Sequence, residues 1–110
     1  MRSVNIEPIT PRELAVALQN DSSILLIDVR EPFEWSFARI PAATLIPLGA
    51  LSAALPTIDP AADVVVYCHH GMRSETAAHL LRDAGVRRVR NLVGGIDRWS
   101  RDVDPDVPRY

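Results

Sequence analysis

Lysine is missing altogether: all twelve basic residues are arginine. Schiff-base chemistry through a lysine amine and a lysine clamp on phosphate are therefore excluded. Cysteine occurs once, as Cys68, so no intramolecular disulfide can form and a reducing, cytoplasmic setting is expected. No run of about 18 apolar residues occurs, which rules out a transmembrane helix. The stretch Met1-Arg2-Ser3-Val4-Asn5-Ile6-Glu7-Pro8 lacks the apolar centre of a signal peptide. A strong charge of either sign is also lacking. The net charge is −2 with 24% charged residues, which argues against a basic nucleic-acid or membrane-surface protein. Neither a glycine-rich nucleotide fingerprint nor a P-loop is present, so no organic cofactor is expected.

What remains is an ordinary globular composition. The 110 residues suit one compact domain, residues 1–110, and 47% hydrophobic residues supply a core without metal or disulfide staples. Thr10-Pro11-Arg12-Glu13 reads as a capped helix start, with Leu14, Ala17 and Leu18 at helical spacing and Asn20-Asp21-Ser22 ending the segment. Ile24 to Ile27 is a short continuous apolar run of the kind buried on both faces of a parallel sheet. A short helix opens at Glu31 and cannot continue through Pro41, Thr44 to Ile46 reads as a second strand, and Leu48 to Leu55 as a brief helix. Val64 to Tyr67 is the clearest strand. Ser74 to Ala84 is the clearest helix, with Gly85 at its stop. Val89 to Val93 reads as the last strand, turned by Gly94-Gly95 into a helix through Trp99, and the proline-broken tail Val103 to Pro108 is expected to lie extended on the surface. Alternation of strands and helices predicts an α/β fold, a mostly parallel central sheet with helices on both faces.

The chemistry concentrates in Tyr67-Cys68-His69-His70-Gly71-Met72-Arg73-Ser74. The lone cysteine sits where a buried strand gives way to a loop that runs into a helix, at the strand end where open α/β sheets bind ligands. Amides at a helix start have no intrahelical partners and carry partial positive charge. A glycine such as Gly71 lets a loop curl further amides inward as an anion nest. Such a ring stabilises a thiolate over a thiol. Arg73, with His69 or His70 when protonated, would add to the positive potential. A buried cysteine is often only a small hydrophobe, but that role needs no polar, glycine-bent loop beside it.

This segment resembles the active-site loop of the rhodanese family. Asp28-Val29-Arg30-Glu31-Pro32 with Glu34-Trp35, Ile40-Pro41-Ala42-Ala43 with Ile46-Pro47-Leu48, and Gly94-Gly95-Ile96 with Trp99 are similar to three further motifs of that family, in the expected order across residues 24–99. The resemblance implies a sulfurtransferase of the thiosulfate sulfurtransferase type. Cys68 would be the nucleophile and would carry the sulfur as a persulfide. His69, His70, Gly71, Met72 and Arg73 would form the substrate-binding cradle, chiefly through their amides, with Arg73 the charged contributor. Partners implied are a small-molecule sulfur donor and acceptor (thiosulfate, cyanide or thiols) or a sulfur-relay protein, with no nucleic acid or membrane, and a monomeric chain. Two positions depart from the family pattern: Ala38-Arg39 replaces its Gly-His, and Ala42 its Gly after proline. Arg39 could then face the pocket mouth and favour an anionic donor.

Other readings compete. Cysteine phosphatases and arsenate reductases also cradle a thiolate before an arginine, but place one residue more than the four that separate Cys68 from Arg73, a wider ring suited to a tetrahedral oxyanion. A rhodanese-like module that only binds partners is a second rival. A metal at Cys68-His69-His70 is disfavoured because adjacent residues do not easily wrap one ion. Asp28, Arg30 and Glu31 read as a network that fixes neighbouring loops, Trp35 and Trp99 as packing, Gly94-Gly95 as a backbone turn, and His79 and the Arg87-Arg88-Val89-Arg90 run as solvated.

Overall fold

The computed structural model describes residues 6–21 and 23–110, so the readings placed on Met1 to Asn5 and on Ser22 lie outside the described residues. Five parallel strands form one sheet, in the order β1 (Glu7–Ile9), β5 (Arg88–Leu92), β4 (Asp63–Tyr67), β2 (Leu25–Asp28), β3 (Thr44–Leu45). The helices are α1 (Pro11–Asn20), α2 (Pro32–Phe37), α3 (Leu48–Ala54), α4 (Met72–Asp83) and α5 (Gly95–Asp102), with a 3-10 turn at Leu55–Thr57.

The continuous apolar runs are the strands flanked on both sides. Val64, Val65, Val66 and Tyr67 of β4 are all buried, as are Leu26 and Ile27 of β2. Alternate side chains leave the sheet in opposite directions and build two cores. Ile27, Val64 and Val66 pack with Leu51 of α3 and Ala77, Ala78 and Leu81 of α4. Leu26, Val65 and Tyr67 pack with Leu14 of α1 and Ile96 and Trp99 of α5. The α/β architecture with helices on both faces is therefore the observed one.

The local signals also hold. Thr10 Oγ1 accepts from the Glu13 amide at 3.2 Å while Glu13 Oε1 accepts from the Thr10 amide at 2.9 Å, and Pro11 takes the first helical position. Strand β1 was not read from the sequence. It is three residues long, contains Pro8, and pairs only with β5. Edge pairing tolerates a proline, and Ile9 alone of the three is buried, so neither length nor periodicity announced it. The tail also departs from expectation. Val107 is buried, and its carbonyl accepts from Ser100 Oγ at 2.6 Å. Arg109 Nε reaches Asp97 Oδ1 at 3.1 Å. These ties carry Tyr110 back over the carboxyl ends of the strands.

Candidate active site

Strand β4 delivers Cys68 to the carboxyl edge of the sheet, and the loop from Cys68 to Gly71 feeds α4. That helix begins at Met72, two residues ahead of the start expected at Ser74. Gly71 adopts φ +120°, a backbone region open to glycine and rarely to other residues. On the far side of the loop, the first turn of α5 takes up its carbonyls: the Ile96 amide donates to Cys68 O at 2.9 Å and the Asp97 amide to His69 O at 3.1 Å. A Cβ at Gly95 would collide with those same two carbonyls. Gly95 is therefore more than a turn. It allows α5 to lie against the loop backbone.

Amide donors meet the sulfur from inside the loop. The Gly71 amide donates to Cys68 Sγ at 3.1 Å and the Ser74 amide at 3.4 Å, with Ser74 Oγ also 3.4 Å away. The residue is 1% exposed and its other side packs in the core cluster with Val29, Leu51 and Ala77. The sulfur thus sits between apolar packing and a set of inward donors, an arrangement that a purely space-filling cysteine does not require.

The remaining predicted residues are distributed unevenly. Met72 is 82% exposed, so its side chain stands away from the sulfur. His69 is stacked between His70 and Tyr110, with ring centroids 3.9 Å apart on each side. Burial, and then the neighbouring His70, lower the pKa of His69, which favours its neutral form. His70 Nε2 lies 4.0 Å from Asp97. Arg73, expected to be the charged contributor to the loop, is also tied to an acidic partner. Its two terminal nitrogens grip Glu34 at 2.6 and 3.0 Å, a bidentate ion pair. Those hydrogen bonds, against the opposing effect of burial, hold Glu34 at about 2. Arg73 fastens the start of α4 to α2.

Glu34 is one end of a longer chain of charge. Tyr110 Oη donates to Glu34 Oε2 at 2.6 Å and accepts from Arg30 Nη1 at 2.8 Å. Arg30 in turn is fully buried against Asp28, with Nη2 2.6 Å from Oδ2. Burial, and then Glu34, push the Tyr110 phenol up to about 12, so it stays a donor. The Asp28–Arg30 reading as a structural network is the arrangement found. Glu31 contributes its backbone amide to Glu34 Oε1 at 3.0 Å. Arg39 stacks on Trp35, its guanidinium carbon 4.6 Å from the ring centre.

Sequence reasoning missed Ser74, Glu34, Asn91 and Tyr110 as site residues. Ser74 and Glu34 stood inside quoted motifs with no role attached, and their positions were the available signal. Asn91 and Tyr110 carried none, because only folding brings β5 and the tail to the loop. Two cavities flank the loop. One of about 340 Å³ is lined by His70, Gly71, Met72, Glu75 and Asn91 among others, and one of about 310 Å³ by Phe33, Glu34, Phe37 and Tyr110. Ligand atoms of His69, His70 and Asp97 lie within 4.8 Å of one another, but Arg109 and Arg101 approach the same Asp97 carboxylate at 3.1 and 3.7 Å, which opposes a cation there.

Fold and site together define an α/β domain that presents one cysteine sulfur to the Gly71 and Ser74 amides at a strand-to-helix loop. The chain belongs to the rhodanese-like domain family, whose match spans residues 10–102. It is 35% identical over 102 residues to a sulfurtransferase of Allochromatium vinosum, covering 93% of this chain and 95% of that protein. It is also 35% identical over 119 residues to the maize adenylyltransferase and sulfurtransferase MOCS3-1, covering 98% of this chain but 25% of that protein, so the chain spans about a quarter of that relative. Among solved structures it is similar to the human single-domain sulfurtransferase TSTD1, with a TM-score of 0.79 at 26% identity, covering 89% of this chain and 98% of that one. Among the described residues no helix is long and apolar enough to cross a membrane.

Proposed function

We propose that the chain moves a sulfane sulfur from a donor such as thiosulfate to a thiophilic acceptor through a persulfide on Cys68. The observation that carries this reading is the pair of amides, from Gly71 and Ser74, that converge on Cys68 Sγ at 3.1 and 3.4 Å. Donors fixed in advance around an atom that becomes anionic stabilise it without reorganisation. In the first half-reaction the Cys68 thiolate attacks the outer sulfur of thiosulfate. A new S–S bond forms, the old one breaks, and sulfite leaves with the electron pair. In the second, a thiolate or cyanide attacks the outer sulfur and Cys68 departs as thiolate. The two steps are displacements with no external oxidant or reductant. In this reading the backbone of His69, His70, Gly71, Met72 and Arg73 cradles the transferred sulfur, a role supported by the Gly71 amide 3.1 Å from Cys68 Sγ.

Burial of Cys68 at 1% exposure limits approach to slender groups and keeps water from the intermediate. That same burial favours, as the second reading, a module that binds partners without chemistry. We further read the chain as acting in a reducing, cytoplasmic setting, a reading supported by its lone cysteine. Intact-mass measurement after incubation with thiosulfate and with glutathione persulfide separates the two readings. Wild type is expected to gain one sulfur atom and lose it to cyanide, and Cys68→Ser to gain none while staying folded. A wild-type mass unchanged by every donor would leave the binding module standing.

A further inference from the structure

Strand β5 contributes one side chain to the loop. Asn91 lies opposite Val66 of β4 in the sheet register, next to the segment that leads into Cys68. Its Nδ2 donates to the Gly71 carbonyl at 3.2 Å, and its Oδ1 accepts from Ser74 Oγ at 2.6 Å. The direction of both bonds follows from the groups themselves. A peptide carbonyl can only accept, so the amide nitrogen must face Gly71 and the amide oxygen must face Ser74. Only the hydroxyl can then supply the proton between them. Ser74 has a single hydroxyl proton, and Asn91 holds it. Ser74 Oγ therefore turns lone pairs toward Cys68 Sγ, 3.4 Å away, where it can take an S–H bond from a neutral thiol but gives nothing to a sulfur anion.

We propose that Asn91 is a positioning residue that withholds the Ser74 hydroxyl proton from the sulfur and so loosens the cradle's grip on sulfur anions. The proposal rests on Cys68 being the sulfur carrier. With Asn91 in place, an anionic sulfur is held mainly by the Gly71 and Ser74 amides. Without it, the hydroxyl turns and adds a third donor. A tighter grip on the Cys68 thiolate would raise the share of attacking thiolate and make Cys68 a better leaving group when the outer sulfur is taken. Asn91 thereby sets how far the cradle favours the Cys68 anion, which attacks in the first half-reaction and leaves in the second. The other ionisable groups near this triad are His70 and Glu75, which share the 340 Å³ cavity with Asn91, and His69 and the Arg73–Glu34 pair. All stay unchanged in the variants below.

The test is a cycle of Asn91→Ala, Ser74→Ala and the double variant, with Asn91→Val, a strand-compatible replacement, beside Asn91→Ala should the latter fold poorly. The pH at which iodoacetamide alkylation of Cys68 reaches half its maximal rate is read alongside the rates of persulfide loading and of discharge to cyanide. A hydrogen bond to a charged group is worth roughly a factor of ten. Asn91→Ala is expected to move the alkylation midpoint down by about one pH unit and to speed discharge to cyanide about threefold, because a leaving thiolate of lower pKa departs faster. In the Ser74→Ala background the same change is expected to do neither. If Asn91 merely props the loop, its loss loosens the Gly71 and Ser74 amides and moves the midpoint up. An upward move, no move, or a downward move that persists without the Ser74 hydroxyl overturns the proposal. Failure of wild type to gain sulfur from any donor would instead sink the carrier reading, since the alkylation cycle reports on the Asn91–Ser74 coupling without any sulfur donor.

Discussion

Replacing Glu34 by glutamine tests the ion-pair chain beneath the loop. The Glu34 carboxylate is 5% exposed and receives four donors: two from Arg73, one from the Tyr110 hydroxyl and one from the Glu31 amide. Those contacts hold it at about 2 in the folded protein, against an ordinary value of 4.5. That difference amounts to about 3 kcal/mol of folded-state preference for the ionised form. Arg73 is 36% exposed, so solvent screening reduces the figure to about 2 kcal/mol. The sign follows from proton uptake. Above 4.5 the group is ionised in both states and the full contribution is present. As pH falls below 4.5 the unfolded chain binds a proton that the folded chain refuses until about 2, so stability is lost across that interval. Glu34→Gln should lower the urea-unfolding free energy at neutral pH by about 2 kcal/mol, because it leaves the Arg73 cation without its carboxylate partner. It should also flatten the acid limb, so that wild type and variant converge as pH approaches 2. Parallel curves that keep a constant gap from pH 7 to 2 would refute the assignment of Glu34 as an ionised clamp.

Gly95→Ala places a methyl group against the Cys68 and His69 carbonyls at a backbone φ of +60°; thermal unfolding should show a loss of at least about 2 kcal/mol, and persulfide loading should fall because the loop must shift. Asp28→Ala strips the carboxylate from an arginine with no solvent exposure; a loss of roughly 3 kcal/mol or more is expected in urea unfolding, and a change within experimental error would contradict the buried pair. Thr10→Ala removes a cap far from the site; about 1 kcal/mol should disappear from stability with the rate of sulfur transfer per folded molecule unchanged.

The sequence by itself determined the elements other than β1 and the place of the cysteine at a strand-to-helix loop. Val64 to Tyr67 reads as a strand because three consecutive β-branched residues and an aromatic favour an extended backbone. The Thr10–Glu13 box and Gly85 mark helix ends through contacts within a few residues, which is why they could be read without coordinates. The strand–cysteine–glycine–helix order likewise put amides at a helix start near Cys68. Tertiary structure alone decided what surrounds that sulfur. That Arg73 also grips Glu34, 39 residues away in the chain, and that Tyr110 meets Arg30, 80 residues earlier, had no local signal. Side chains meet across such separations only after the sheet has set the order of its strands, and Asn91 reaches Ser74 because β5 lies beside β4. Local signals act within a turn or two of the backbone, whereas the charge balance around a site is set by whichever distant segments the fold lays against it.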